Sequence, residues 1–302
     1  MLDRTITNNS EKIQQVDLFG DTVAKDVLLR DRWIEPPFSV LDTKGADWQL
    51  RKRRWENLGI KSEIGRDAKA FTCNGADAIK YDYMPNIDTG TSIFDPALTE
   101  LMYKWFCPDG GDILDPFAGG SVRGIVAHYL GYNYTGIELR QEQVDSNREQ
   151  GLDILPINNQ PSWYCGDSDK LLCQKWNKQF DFIFSCPPYA DLEVYSELPD
   201  DLSNMPYSQF VQKLYSIIKQ SVDLLKSQHY ACFVVGEVRD KQGYYYGFVA
   251  DTIKAFMSAG AKLYNEAVLL NCCGTAPIRA RQFAFGQKLV KLHQNVLVFK
   301  KA

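Results

Sequence analysis

The chain has 302 residues, enough for one large α/β domain with an appendage or for two small domains. A hydrophobic share of 45% with 24% charged residues is ordinary globular composition and excludes a mostly disordered protein. The net charge of −4 excludes a globally basic field, so a nucleic-acid partner would have to meet a local basic patch.

Residues 1–35 are polar and weakly periodic, and a flexible segment is expected there. No signal-peptide core stands at the start, and no apolar run approaches the roughly 18 residues of a spanning helix. A soluble, cytoplasmic chain with no membrane partner is therefore expected. The eight cysteines include no Cys-x-x-Cys pair, only the adjacent Cys272-Cys273, and the three histidines stand far apart. Reduced thiols and no metal site follow. Residues 36–90 read as an N-terminal extension rich in Trp, Arg and Lys, with strand pattern only around 78–83.

Residues 91–302 are regular. Asp95 followed by Pro96 predicts a helix start, a carboxylate cap and then a proline at the first helical position. Leu98, Met102 and Trp105 continue it at helical spacing. Strand-like runs then alternate with helices: a strand at 112–115 before a helix at 121–130, a strand at 134–138 before a polar helix to about 149, and strands at 163–165 and 180–184. A long amphipathic helix at 209–225 places Phe210, Leu214, Ile217, Ile218, Val222 and Leu225 on one face. A strand at 231–235, a helix at 248–258 and strands at 264–270 and 295–299 complete the pattern. This predicts an α/β fold with a doubly wound, seven-stranded, mostly parallel sheet. No helix separates the last two strands, so the last strand should run antiparallel.

The first strand ends in Asp115-Pro-Phe-Ala-Gly-Gly120, where paired glycines let backbone approach a ligand beside a helix start. Such turns sit at the carboxyl edge of an open sheet, where ligands bind; alone, this one could serve packing only. Glu138 ends the second strand, 23 residues on, where an acid can accept from both hydroxyls of a ribose. Asp167 ends the third, where a carboxylate could accept from an adenine amino group. Each acid singly reads as solvated; three at successive strand ends point to a nucleotide-like ligand. The fourth strand ends in Ser185-Cys-Pro-Pro-Tyr189.

Together, Asp115-Pro-Phe-Ala-Gly-Gly120 and Cys186-Pro-Pro-Tyr189 resemble the S-adenosylmethionine (SAM)-dependent amino-methyltransferases of DNA. That family pairs a D-P-F-x-G-x-G loop with Asp, Asn or Ser followed by Pro-Pro-Tyr, here in the non-permuted order. The ending Lys291-Leu-His-Gln-Asn-Val-Leu-Val-Phe-Lys300 is also similar to its last strand, so the resemblance spans residues 90–300. It implies a Rossmann-like sheet that binds SAM through Asp115, Phe117, Ala118, Gly119, Gly120, Glu138, Asp167 and Ser185. It implies a catalytic loop of Cys186, Pro187, Pro188 and Tyr189. In the family the first side chain and a proline carbonyl accept from the target amine, and the aromatic residue stacks on a flipped base.

The resemblance thus implies transfer of a methyl group to cytosine N4 or adenine N6 of DNA in the cytoplasm of a bacterial or phage-infected cell. An RNA base amine, or an inactive module that only binds SAM or nucleic acid, are the alternatives. Cys186 departs from the family pattern, since a thiol is a weak acceptor. As a small neutral residue it is closer to the Ser form, associated with cytosine, than to the Asp form. Cysteine-based carbon-5 methylation is the other possibility, but enzymes doing that on DNA carry the cysteine after the prolines.

Two segments are locally basic: Arg51-Lys-Arg-Arg54 with Lys61 and Arg66, and residues 271–293, which hold Arg279, Arg281, Lys288 and Lys291 and no acid. Either could contact phosphates, or be an ordinary solvated face or loop. The acidic stretch from Asp191 to Asp201 reads as a mobile loop over the target base. The cluster Gly243-Tyr-Tyr-Tyr-Gly247 reads as aromatic packing, with base stacking the alternative.

Overall fold

The computed structural model describes residues 33–60, 94–174, 176–189, 198, 200–271 and 276–302, and the backbone of two short antiparallel strands, Gln15–Val16 and Thr22–Val23. The chain divides into two units, residues 1–37 and 38–302, and the second holds the main sheet. The strand expected near 78–83, the basic residues Lys61 and Arg66, Cys272-Cys273 and most of the acidic stretch from 191 to 199 lie outside the described residues.

Among the described residues eight strands form one sheet: β1 Val40–Asp42, β2 Asp112–Asp115, β3 Asn133–Glu138, β4 Ser162–Cys165, β5 Phe180–Ser185, β6 Leu225–Val235, β7 Ala261–Leu270 and β8 His293–Lys301. Their spatial order is β1-β7-β8-β6-β5-β2-β3-β4. Helices α1 Ala46–Glu56, α2 Pro96–Phe106, α3 Val122–Tyr129, α4 Gln141–Ile154, α5 Ser168–Leu172, α6 Tyr207–Leu224 and α7 Phe248–Ser258 accompany them.

The α/β alternation, the parallel pairing of β2 through β6 and the antiparallel last strand agree with expectation. Strand β8 is antiparallel to both β6 and β7, because it slots between them. The count of seven needs correction. An eighth strand, β1, pairs parallel with β7 (Val40 against Val268) at the sheet edge. Three residues are too few to show an alternation, so the sequence hides it.

Central strand β5 is buried at every residue, as expected of a parallel strand covered on both faces. Helix α6 buries Phe210, Leu214, Ile217, Ile218 and Val222 against it, each contributing about 1.5–3 kcal/mol. Asp95 caps α2 by accepting from Ala97 N (2.8 Å) and Leu98 N (3.2 Å). Helix α3 lies close to the sheet at Gly124: a Cβ there would stand 2.7 Å from the Trp163 ring of β4, so only glycine permits the approach.

All of β2 to β7 run the same way, so their carboxyl ends share one edge. Antiparallel β8 begins at that edge, with His293 opposite Leu270. The connection between β7 and β8 therefore starts and ends at that edge.

Candidate active site

A cavity of about 630 Å³ opens along the carboxyl edge. Eight of the twelve site residues expected from sequence line it: Phe117 and Gly119 from the β2–α3 turn, Glu138 after β3, Asp167 after β4, and Cys186, Pro187, Pro188 and Tyr189 after β5. The other four, Asp115, Ala118, Gly120 and Ser185, are not among its lining.

Asp115 and Ser185 sit behind the turn, both fully buried. Asp115 Oδ1 accepts from Ser185 Oγ (2.6 Å) and Phe117 N (3.1 Å); Oδ2 accepts from Arg123 Nε (2.5 Å) and the Tyr134 hydroxyl (2.7 Å). These four donors account for the capacity of a carboxylate, so the side chain has nothing left for a ligand. Asp115 and Ser185 thus brace the turn from behind the cavity lining.

Arg123 completes the clamp. Its guanidinium also donates to the carbonyls of Phe117 (2.6 Å) and Ala118 (2.9 Å), so it holds both the acid and the turn backbone. Burial by itself would lower the Arg123 pKa, but the Asp115 carboxylate overrides that and raises it, keeping the guanidinium charged. Sequence reasoning missed Arg123, although it lies in the same run as the glycines, because an arginine eight residues past an acid carries no mark of burial.

Gly119 takes φ +52°, a left-handed turn that aims its N–H at Glu138 Oε2 (3.0 Å). Glu138 Oε1 accepts from Arg140 N (3.0 Å) and lies 3.4 Å from Arg140 Nε. Asp167 caps α5 by accepting from Asp169 N (3.1 Å) and pairs with Lys213 Nζ at 3.0 Å. Two carboxylates at successive strand ends, a tight backbone turn and the Phe117 ring thus share one cavity. That set of acceptors, backbone and ring fits a nucleoside-bearing ligand such as SAM.

Beyond it, the Cys186 thiol stands 3.6 Å from the Tyr189 hydroxyl. The Tyr189 hydroxyl also accepts from Gln294 Nε2, and Asn271 Nδ2 donates to Gln294 Oε1 (3.3 Å). The Tyr189 ring packs edge-on to Phe248, with centroids 6.1 Å apart. Asn271 and Gln294 line the cavity from the facing ends of β7 and β8. Sequence gave no signal for either, since two amides at distant strand ends become neighbours only through the β7–β8 register.

The basic candidates separate. In α1, Trp48 and Trp55 are buried and donate to Asp95 Oδ2 (2.9 Å) and Glu100 Oε2 (2.8 Å) on and beside α2. Arg51 pairs with Glu100 at 2.9 Å. These aromatics anchor the helix. Lys52, by contrast, reaches the cavity, as do Arg279 and Lys291 of the β7–β8 connection. Of the tyrosine cluster, Tyr246 stacks on Tyr207 (4.2 Å), while Tyr244 and Tyr245 are exposed.

No protein-family model and no curated protein matches the chain. Solved structures do. TrmN from Thermus thermophilus is 13% identical with a TM-score of 0.47, covering 69% of this chain and 49% of that one. A TehB-like SAM-dependent methyltransferase from Corynebacterium glutamicum is 15% identical with a TM-score of 0.41, over 84% of this chain and 97% of that one. Magnesium protoporphyrin IX methyltransferase from Synechocystis, with bound SAM, is 12% identical with a TM-score of 0.40, over 65% and 71%. The chain spans about half the length of TrmN. At these identities and scores, none of the likenesses decides what this chain binds or acts on.

Among the described residues no helix is long and apolar enough to cross a membrane.

Proposed function

We propose that the chain transfers a methyl group from SAM to an exocyclic amino group of a DNA base, cytosine N4 or adenine N6, directly to a base turned into the cavity. One observation carries the reading: a single cavity brings together the β2–α3 turn, the carboxylates Glu138 and Asp167, and Cys186-Pro-Pro-Tyr189.

When bound, SAM supplies an electrophilic methyl group. Glu138 would hold the ribose hydroxyls, Asp167 would accept from the adenine amine, and Phe117 and Gly119 of the turn would line the ligand. The exocyclic amine is a weak nucleophile, because its lone pair is conjugated into the ring. The Cys186 thiol and the Pro187 carbonyl accept from its hydrogens and favour the pyramidal nitrogen that attacks. Two successive prolines limit the swing of that carbonyl. Tyr189 lies against the base. The Gln294 amide donates to the Tyr189 oxygen, and the Tyr189 hydroxyl and the Cys186 thiol lie 3.6 Å apart, where either can donate to the other. Alignment of the two reactants carries most of the acceleration, and no covalent intermediate on the enzyme is needed.

The test is incubation with labelled SAM and unmodified DNA, followed by mass spectrometry of the nucleosides. N4-methylcytosine or N6-methyladenine is expected. Cys186→Ser should keep the product, whereas Pro187→Ala, which frees the carbonyl to swing, or Tyr189→Ala, which removes the ring that lies against the base, should lower the rate about a hundredfold, the order of one lost preorganised transition-state contact. Formation of 5-methylcytosine, abolished in Cys186→Ser and trapped as an adduct on a 5-fluoropyrimidine, would overturn the reading. Product on RNA alone would move the substrate to RNA.

A further inference from the structure

The β7–β8 connection carries a surface that the transfer chemistry leaves unused. Residues 277–289 are exposed without a break. Phe285 is 93% exposed, and Phe283 and Leu289 stand out beside it. Among the described residues Arg279, Arg281 and Lys288 form no ion pair, in a stretch from 271 to 293 that contains no acid. The exposed rings leave apolar area against water, and the solvated cations beside them suit an anionic partner that can cover those rings.

The loop after β6 adjoins it. The Lys288 side chain lies against Gly243: a Cβ on that glycine would stand 2.1 Å from Lys288 Nζ. Exposed Tyr244 and Tyr245 follow, with the Arg239 guanidinium 3.8 Å above the Tyr245 ring and Lys291 Nζ at 6.0 Å. Cations and aromatic faces therefore alternate across two loops. The array is continuous with the cavity, because Arg279 and Lys291 belong to both.

We propose that this surface grips the single-stranded nucleic acid flanking the target base, with Arg281 and Lys288 on phosphates and Phe285 stacked on an unpaired neighbour. The inference rests on the base-methylation reading above and gives it a strand state. Stacking rings demand unpaired bases, whose faces are open, whereas a duplex offers only edges and phosphates.

Fluorescence anisotropy with labelled DNA of roughly 12 nucleotides, single-stranded and duplex, and with the matching RNA strand tests it in the full chain. Single strands should bind several-fold tighter than duplex. Phe285→Ala should weaken single-strand binding about tenfold while leaving its salt dependence in place. Arg281→Ala with Lys288→Ala should weaken it and flatten the log–log salt slope by about 1.4, at ~0.7 per phosphate contact. Calorimetric SAM affinity should not change in these variants.

Equal affinity of all variants for single strands, or tighter binding of duplex, would overturn the inference while leaving base methylation standing. A wild-type chain that neither binds nor methylates any nucleic acid would remove both. RNA bound with the same dependence on Phe285 would support the surface and assign it to RNA.

Discussion

At the scale of single residues the turn after β2 is held by an ion pair out of reach of solvent. Asp115 and Arg123 are each buried, and each makes hydrogen bonds beyond their mutual contact. Removing one charge strands the other in a medium that solvates it poorly. Asp115→Asn should therefore cost about 3–5 kcal/mol of stability, read by urea unfolding. A variant with full stability and only weaker cofactor binding would show that Asp115 is not a clamp. Gln294 offers the opposite case: a half-exposed amide whose task is to fix one hydroxyl. Gln294→Ala should leave SAM affinity unchanged and lower the methyl-transfer rate about tenfold, with roughly 1 kcal/mol of stability lost. An equal loss of SAM affinity and transfer rate would instead point to a collapse of the site. Both positions could be quoted from the sequence, but neither role could, since the partners come from distant strands.

At the scale of elements the join between α3 and β3 contains a histidine fixed in one tautomer. His128 Nε2 accepts from Tyr134 N (3.1 Å), so its proton sits on Nδ1 and faces Asn159 Oδ1 (2.8 Å). Burial lowers its pKa below the ordinary 6.5, partly opposed by the Asn159 contact. The unfolded chain then binds this proton first as pH falls. Stability from the neutral ring is complete above about pH 6.5 and declines from there down to the lowered folded value. Thermal unfolding should thus shift down as pH falls below about 6.5, and His128→Gln should reduce that dependence. A pH profile identical in the variant would place the acid sensitivity elsewhere. Helix α1 makes a second element-level case. Its buried tryptophans dock on α2, so Trp55→Ala should destabilise by about 3–5 kcal/mol, measured by denaturant titration, with little change in salt dependence of substrate binding. The helix period of α6 and the Asp95-Pro96 start were legible because local pattern and capping decide them. Strand β1 and helix α1 were not, because their apolar residues are few and gain meaning only against β7 and α2.

At the scale of the whole molecule, charge is distributed against its average. A chain of net charge −4 keeps an acid-free stretch whose Arg279 and Lys291 line its cavity and whose Arg281 and Lys288 are exposed in the same connection. Four such contacts predict a roughly fiftyfold loss of kcat/KM on a nucleic acid between about 50 and 200 mM salt, with SAM binding little affected. A flat salt profile measured by product formation would argue against phosphate contacts there. The sequence by itself determined the α/β alternation, the antiparallel last strand and the carboxylates and Pro-Pro loop at successive strand ends, because periodicity, caps and turn residues act over short distances. Only the tertiary structure decided that Asp115 and Ser185 lie behind the turn while Glu138, Asp167 and Cys186 face a common cavity. It alone brought Gln294 to Tyr189 and carried the β7–β8 connection to the same edge. Strand order and register bring together residues more than a hundred positions apart, and no local rule encodes which atoms of a buried group meet a partner and which meet a ligand.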